Sequence, residues 1–400
     1  MLSRSYFFVE SMIILIIIIF LQLFSYTGIN ESSKVLPAAI LGCGILMFLI
    51  AIGTILFKPG LILYSLDKLV ILFIVSIFLS FLTAYGYWEQ PFKSSFLSYR
   101  LFYIYFLYFV LVGFKMSSKE VETIIVVLFF LSLVIFLIDY FTFPDPIFSL
   151  RSEERRNGIT IFFYGQGFTF LGAFYYLQKF FKQFNLFHLM WFLIGAIFLF
   201  FLTQSRMILI GLSLGFVLIL LLSSLRYRFV YAVVIIAAGI VFYLASDVFK
   251  GIKEQNAEQA KFYSEDIRVQ AYDFFWNDLQ GGWSTIVFGN GVAAKGSDLE
   301  AITDYGIALG FYTSDVGLTG IMSFFGLFGM FIWILFFYKA FSMNLAQRFT
   351  YIKAFFLTIF VTAFTGYSIF DPGFMPATVV ALYLIRLNNM ETIEITNQKK

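Results

Sequence analysis

The chain has 400 residues, 60% of them hydrophobic, 22% aromatic and only 13% charged, about half the charged share of a soluble domain. That excludes a soluble globular enzyme: at roughly 20 apolar residues per bilayer crossing, this stock suffices for about twelve transmembrane helices. Lys plus Arg number 27 against 24 Asp plus Glu, a net +3 that implies no basic surface for nucleic acid.

In chain order the apolar runs are 11–29, 35–57, 67–87, 97–114, 121–141, 159–180, 188–205, 207–225, 229–249, 315–338, 351–370 and 374–388. They predict an all-α polytopic membrane protein of about 12 spans, with residues 1–400 forming a single transmembrane domain. Arg4 precedes the first run, but no small-x-small cleavage site follows it, so it reads as a retained helix. Cys43, the single cysteine, lies in an apolar run. It excludes an intramolecular disulfide and reads as packing. Most connections are short. The exception is 250–314, between spans nine and ten, which reads as a charged extracytoplasmic loop with amphipathic helices.

Lys and Arg in short loops mark the cytoplasmic side. With the N-terminus inside, 15 of the 27 basic residues fall at cytoplasmic ends and 12 outside, five of the latter in the long loop. Acids divide six inside to 18 outside, so the balance is +9 within and −6 without. Both termini are therefore expected in the cytoplasm. Charges such as Asp67, Lys68, Arg100, Asp139, Arg206, Asp315 and Asp371 fall near helix ends, which disfavours a carrier with a midplane ion site.

Against the orientation bias, Arg151, Arg155, Arg156 and Arg206 lie in short outer loops. Arg binds phosphate in bidentate fashion. The segment Arg151-Ser-Glu-Glu-Arg-Arg156-Asn-Gly158 leads into the sixth span, with Asn157 and Gly158 as plausible caps beside the positive end of that helix. The plainer reading is a solvated ion-pair loop, neutralised by Glu153 and Glu154. Between spans seven and eight, Thr203-Gln-Ser-Arg206 forces a tight turn with Ser205 as a candidate N-cap. A cation in a first helical turn is unfavourable unless an anion binds there; a snorkelling Arg is the alternative. In the long loop, 254–280 reads as helical, with Arg268, Tyr272, Phe275 and Leu279 on one stripe. Gly281-Gly282 ends it, and Phe288-Gly-Asn-Gly291 makes a turn. Then Thr313-Ser-Asp315 reads as the N-cap of the tenth span, followed by Gly317, Gly320, Gly326 and Gly329 at helix-packing spacing.

Taken in order around one long outer loop, Leu202-Thr-Gln-Ser-Arg206, Arg268-x-x-x-Tyr272 to Trp276 with Phe288-Gly-Asn-Gly291, and Ser314-Asp-Val-Gly-Leu-Thr-Gly320 resemble the bacterial O-antigen polymerase and O-antigen ligase family of membrane glycosyltransferases. Arg156-Asn157-Gly158 is similar to the family's earlier Arg-containing loop. The resemblance covers about residues 150–340. It implies transfer of a glycan from undecaprenyl pyrophosphate to a hydroxyl acceptor, at the outer face of a bacterial plasma (inner) membrane. No metal, nucleotide or other cofactor is implied, and a chain-length regulator is a possible partner. By position, Arg206 and Arg268, with Arg156 and Arg155, correspond to pyrophosphate ligands. Asp315 or Asp304 would serve as base, and Tyr305 and Tyr272 would meet the acceptor. Family ligases use an outer His, whereas the one His here, His188, falls at the cytoplasmic end of span seven. The expectation is accordingly a polymerase for O-antigen, capsule or exopolysaccharide, with a ligase as the alternative and a lipid-linked oligosaccharide flippase a weaker third.

Overall fold

Long apolar runs bounded by polar residues close their backbone hydrogen bonds internally, the condition for sitting in lipid, and the described residues are helical nearly throughout. The computed structural model describes residues 2–23, 35–57, 64–142, 147–148, 155–156, 159–160, 165–203, 206–245, 267–364, 366 and 370–398. In the first half are α1 (Leu2–Phe20), α2 (Val35–Phe57), α3 (Ser65–Trp88), the short α4 (Phe92–Ser98), a 3-10 stretch Tyr99–Phe106 and α5 (Leu107–Phe114), then α6 (Ser118–Thr142). A two-residue ladder, β1 (Arg155–Arg156) with β2 (Ile159–Thr160), precedes α7 (Gln166–Gln183), α8 (Leu186–Thr203), α9 (Arg206–Leu222) and α10 (Arg228–Ala245). The remainder comprises α11 (Ile267–Asp273), a π-helical stretch Phe274–Asp278, α12 (Trp283–Phe288), α13 (Asp298–Ala308), α14 (Leu318–Ser342), α15 (Thr350–Thr362) and α16 (Met375–Gln398).

Several long apolar helices make this a multi-pass membrane protein. Among the described residues, five are long and apolar enough to cross a bilayer: 35–57, 65–88, 92–114, 118–142 and 318–342. The apolar segments 8–20, 186–200 and 207–222 are shorter. α15 has 13 residues where the sequence predicts a run over 351–370, about 20 Å of helix against a hydrocarbon core of about 30 Å. α16 runs beyond the expected 388 to Gln398. Two further expectations are corrected. The sixth helix begins at Gln166 rather than 159, because Ile159 and Thr160 pair with Arg156 and Arg155 as strand. The proposed caps Asn157 and Gly158 lie outside the described residues, as do Ser205 and the 254–266 part of the expected loop helix.

The helices run between two ends of a bundle, here called the loop end and the tail end. Aromatic rings fill the space between them. Phe73 of α3 meets Tyr105 at 4.7 Å, Phe325 at 5.4 Å and Trp333 at 5.7 Å, edge-on contacts that suit ring quadrupoles.

At the tail end, Asp67 in the first turn of α3 is fully buried and pairs with Arg386 of α16, Nε to Oδ1 3.1 Å. The Tyr108 hydroxyl of α5 donates to the same oxygen at 2.5 Å, and the Tyr64 amide donates to Oδ2 at 3.2 Å. Three helices are thus joined by one satisfied carboxylate. Arg348 and Glu391 form a second, exposed pair nearby.

At the loop end α14 is broken. Gly326 has φ +66° and ψ −174°, a conformation open to glycine and costly to other residues. The carbonyls of Ser323 and Phe324 lose their helical partners there, and a separate segment supplies replacements: Asn290 N donates to Ser323 O at 2.8 Å and Gly291 N to Phe324 O at 3.1 Å. The Phe288-Gly-Asn-Gly291 turn is therefore a plug seated against the break. Its side chain is fully satisfied as well. Asn290, wholly buried, accepts from Trp88 Nε1 at 3.0 Å and donates to Ser323 O at 3.3 Å. Buried Gln90 holds the following residues, donating to Val292 O and accepting from Ala294 N. Irregular backbone survives at this depth because it is enclosed by protein.

Candidate functional site

The candidate site is built around the carbonyl end of α15. A helix leaves its last carbonyls without internal partners, and here neighbouring elements also bond the carbonyls of the two residues that follow Thr362. Leu318 N, opening α14, donates to Ala363 O at 2.9 Å. The Tyr272 hydroxyl donates to Phe364 O at 2.7 Å. Gly317, at φ +49°, allows that approach, since a Cβ there would strike the Ala363 carbonyl. Gly317 also corrects the expected cap: it is the N-cap residue of α14, which has no side-chain cap bond, and Asp315 sits before it in a 3-10 turn, Thr313–Asp315. Asp315 is half-buried and adjoins the buried Val316.

Arg268 lies one helical turn before Tyr272, so both occupy the same stripe of α11. Phe275 and Leu279 continue that stripe into a small apolar core with Trp88, Phe274, Leu299 and Phe311. The amphipathic reading of this segment holds from Ile267 onward, with Arg268 exposed and Phe275 and Leu279 buried. Its last turn widens to π geometry over Phe274–Asp278.

α9 reaches the same place from another side. Thr358 Oγ1 donates to Gly211 O at 3.1 Å, a contact that glycine permits because a Cβ would lie 2.7 Å from Thr358 Cγ2. Ile219 and Ser223 share a small pocket with Gln347 and Thr350, so α9 and α15 run antiparallel. Arg206 precedes Gly211 by five residues and Thr362 follows Thr358 by four, rises of about 7.5 and 6 Å. The start of α9 is therefore level with the end of α15. The first turn of one helix thus adjoins the negative, carbonyl end of its neighbour.

Of the residues singled out from sequence, Arg206, Arg268, Tyr272 and Asp315 belong to elements that meet around Ala363 and Phe364. Asp304 and Tyr305 do not join them through any described contact. Both are exposed on α13, whose opposite face presses Leu299 and Gly306 onto the small core. That helix is capped by Ser297, whose hydroxyl accepts from Glu300 N at 3.1 Å, while the Glu300 carboxylate accepts from Gly296 N just before the cap. Arg155 and Arg156 lie in β1, which pairs with β2 beside α8. The positive end of α7, expected beside these arginines, instead begins at Gly165–Gln166 and is met by Gly373, whose carbonyl accepts from Gly167 N at 3.0 Å. His188 is in the first turn of α8, about 22 Å along that helix from Thr203. Among the described residues, no three His, Cys, Asp or Glu side chains gather to hold a metal ion.

Sequence reasoning missed two constellations. The Asp67–Tyr108–Arg386 cluster could have been suspected from Asp67 standing at the edge of an apolar run, where a buried carboxylate needs a partner, but nothing in the sequence points to Arg386 as that partner. The Asn290–Trp88–Gln90 latch has a visible element in the Gly-Asn-Gly turn and none in its partners. No protein-family model matches this chain, and no curated protein does.

Proposed function

We propose that the chain is a metal-independent glycosyltransferase of the polymerase type, crossing a bacterial plasma membrane twelve times with both termini in the cytoplasm and the loop end outside. The observation that carries this reading is the meeting of α9, α11 and α14 around the end of α15. The elements that meet there bear two arginine positions, a tyrosine and a carboxylate, at the end of the bundle opposite the Asp67–Arg386 pair. In this reading Arg206 and Arg268 bind the pyrophosphate of a lipid-linked donor glycan. A hydroxyl of the acceptor's terminal sugar attacks the donor's anomeric carbon, the bond from that carbon to the pyrophosphate oxygen breaks with its electron pair, and Asp315 takes the hydroxyl proton. The guanidinium groups stabilise the charge growing on the leaving group. Tyr272, held by the Phe364 carbonyl, fixes the height of α11 and hence of Arg268.

The test is the glycan profile of cells carrying Arg206→Ala or Arg268→Ala. Polymer longer than one repeat is expected to fall about 100-fold or more, the scale of losing a preorganised charge-stabilising donor, with membrane levels of the protein unchanged. Normal chain lengths in both variants would refute the proposal, and unattached long polymer would indicate a ligase.

A further inference from the structure

Polymerisation joins two lipid-linked glycans, so one enzyme must hold two lipid anchors at once. The elements around α15 provide for one pyrophosphate. A second place with the right chemistry lies on the outside of the bundle, where α4 diverges from α3. There Phe78, Phe81 and Leu82 of α3 and Phe92, Lys93 and Phe96 of α4 line a groove of about 490 Å³, within the range of ligand sites. Both helices belong to segments apolar and long enough to cross a bilayer, so the groove opens toward lipid. Phe78, Leu82, Phe92 and Phe96 are each more than a third exposed, a concave aromatic surface suited to a branched hydrocarbon chain.

Two further features narrow the occupant. Lys93 is the one charged residue in the lining; it is exposed, and among the described residues no carboxylate pairs with it. A cation at the end of an apolar groove complements a phosphate headgroup. The turn directly above the groove, Trp88 to Gln90, is tied to the plug by the Trp88–Asn290 and Gln90–Val292 hydrogen bonds. A glycan rising from Lys93 would therefore emerge beside the module that carries Arg268 and Tyr272.

We infer that this groove binds the polyprenyl chain of the acceptor substrate, with Lys93 at its phosphate. The assignment rests on the polymerase reading. It also explains the asymmetry of charge between the two places: the donor's pyrophosphate departs and needs several positive groups, whereas the acceptor's stays bonded and needs only an anchor.

The experiment is photolabelling of the full chain in phosphatidylcholine nanodiscs with a diazirine-bearing polyprenyl phosphate, read by peptide mapping. Label is expected within 78–96, displaced by unlabelled polyprenyl phosphate and not by phosphatidylglycerol. Lys93→Gln should weaken that label's apparent affinity about five-fold, the worth of one lysine near a phosphate, and Leu82→Trp, which fills the groove, should remove it. Absence of label in 78–96, or equal displacement by phosphatidylglycerol, would overturn the inference, and so would labelling unchanged in both variants. Because the readout is binding, a labelled groove in a protein that makes no polymer would refute the proposed function and leave the groove standing.

Discussion

The two ends of the bundle are closed by opposite means. At the tail end a carboxylate and a guanidinium are buried together, each nearly inaccessible to solvent. At the loop end the buried connectors are neutral: an asparagine, a glutamine, a tryptophan and backbone amides. A buried ion pair is costly to desolvate and depends on both partners, whereas a neutral latch can lose one bond at lower cost. The consequence is that the tail end is fixed by a single all-or-none junction, while the loop end is held by several smaller ones beside the candidate site.

Breaking the tail junction should have the largest effect. Asp67→Ala leaves Arg386 charged and buried, and is expected to cost about 3–5 kcal/mol, seen as a lowered thermal transition of the detergent-solubilised protein. The double replacement Asp67→Leu with Arg386→Met should recover much of that loss; if it does not, the pair is not the junction described. Next comes Gly326→Ala, which combines a left-handed backbone with a Cβ aimed at the Val287 carbonyl. A loss of about 2–3 kcal/mol is expected, and a wild-type transition would show that the break in α14 is not required. Asn290→Leu removes the latch side chain and strands Trp88 Nε1, a cost of about 1–3 kcal/mol. Trp88 fluorescence should shift with it, and an unchanged melt would place the strength of the loop end elsewhere. The smallest effect is expected from Arg348→Ala at the tail surface. That pair is more than 40% exposed on both sides, so the change should stay below about 1 kcal/mol, and a larger loss would extend the tail junction to the surface.

The parts of the fold legible in the sequence are those fixed by local pattern. The runs 35–57, 67–87 and 121–141 match helices to within three residues, because uniform apolarity ends sharply at polar residues. The pairing of Arg155 and Arg156 with Thr160 and Ile159 departs from the helix expected from 159, and Asn-Gly between two such segments is a sequence signal for a hairpin. Gly326 looks like its neighbours Gly320 and Gly329 in a small-residue series, and only the plug distinguishes it. The decisive partnerships are remote, 202 residues apart for Trp88 with Asn290 and 319 for Asp67 with Arg386. Composition and periodicity carry no information about such pairs. At the candidate site Arg206, Arg268 and Asp315 stand out singly as charges at helix ends. Their grouping depends on the antiparallel packing of α9 on α15, which Gly211 and Thr358 set.

The plug also imposes an order on biosynthesis. Residues 290 and 291 leave the ribosome before Ser323 and Phe324, the carbonyls they must satisfy. α14 therefore cannot complete its hydrogen bonding by entering the bilayer alone, because two carbonyls would be stranded in hydrocarbon at several kcal/mol each. The Phe288–Gly291 turn and the first part of α14 have to close on each other as one unit, so that the break in α14 and the plug that satisfies it form together.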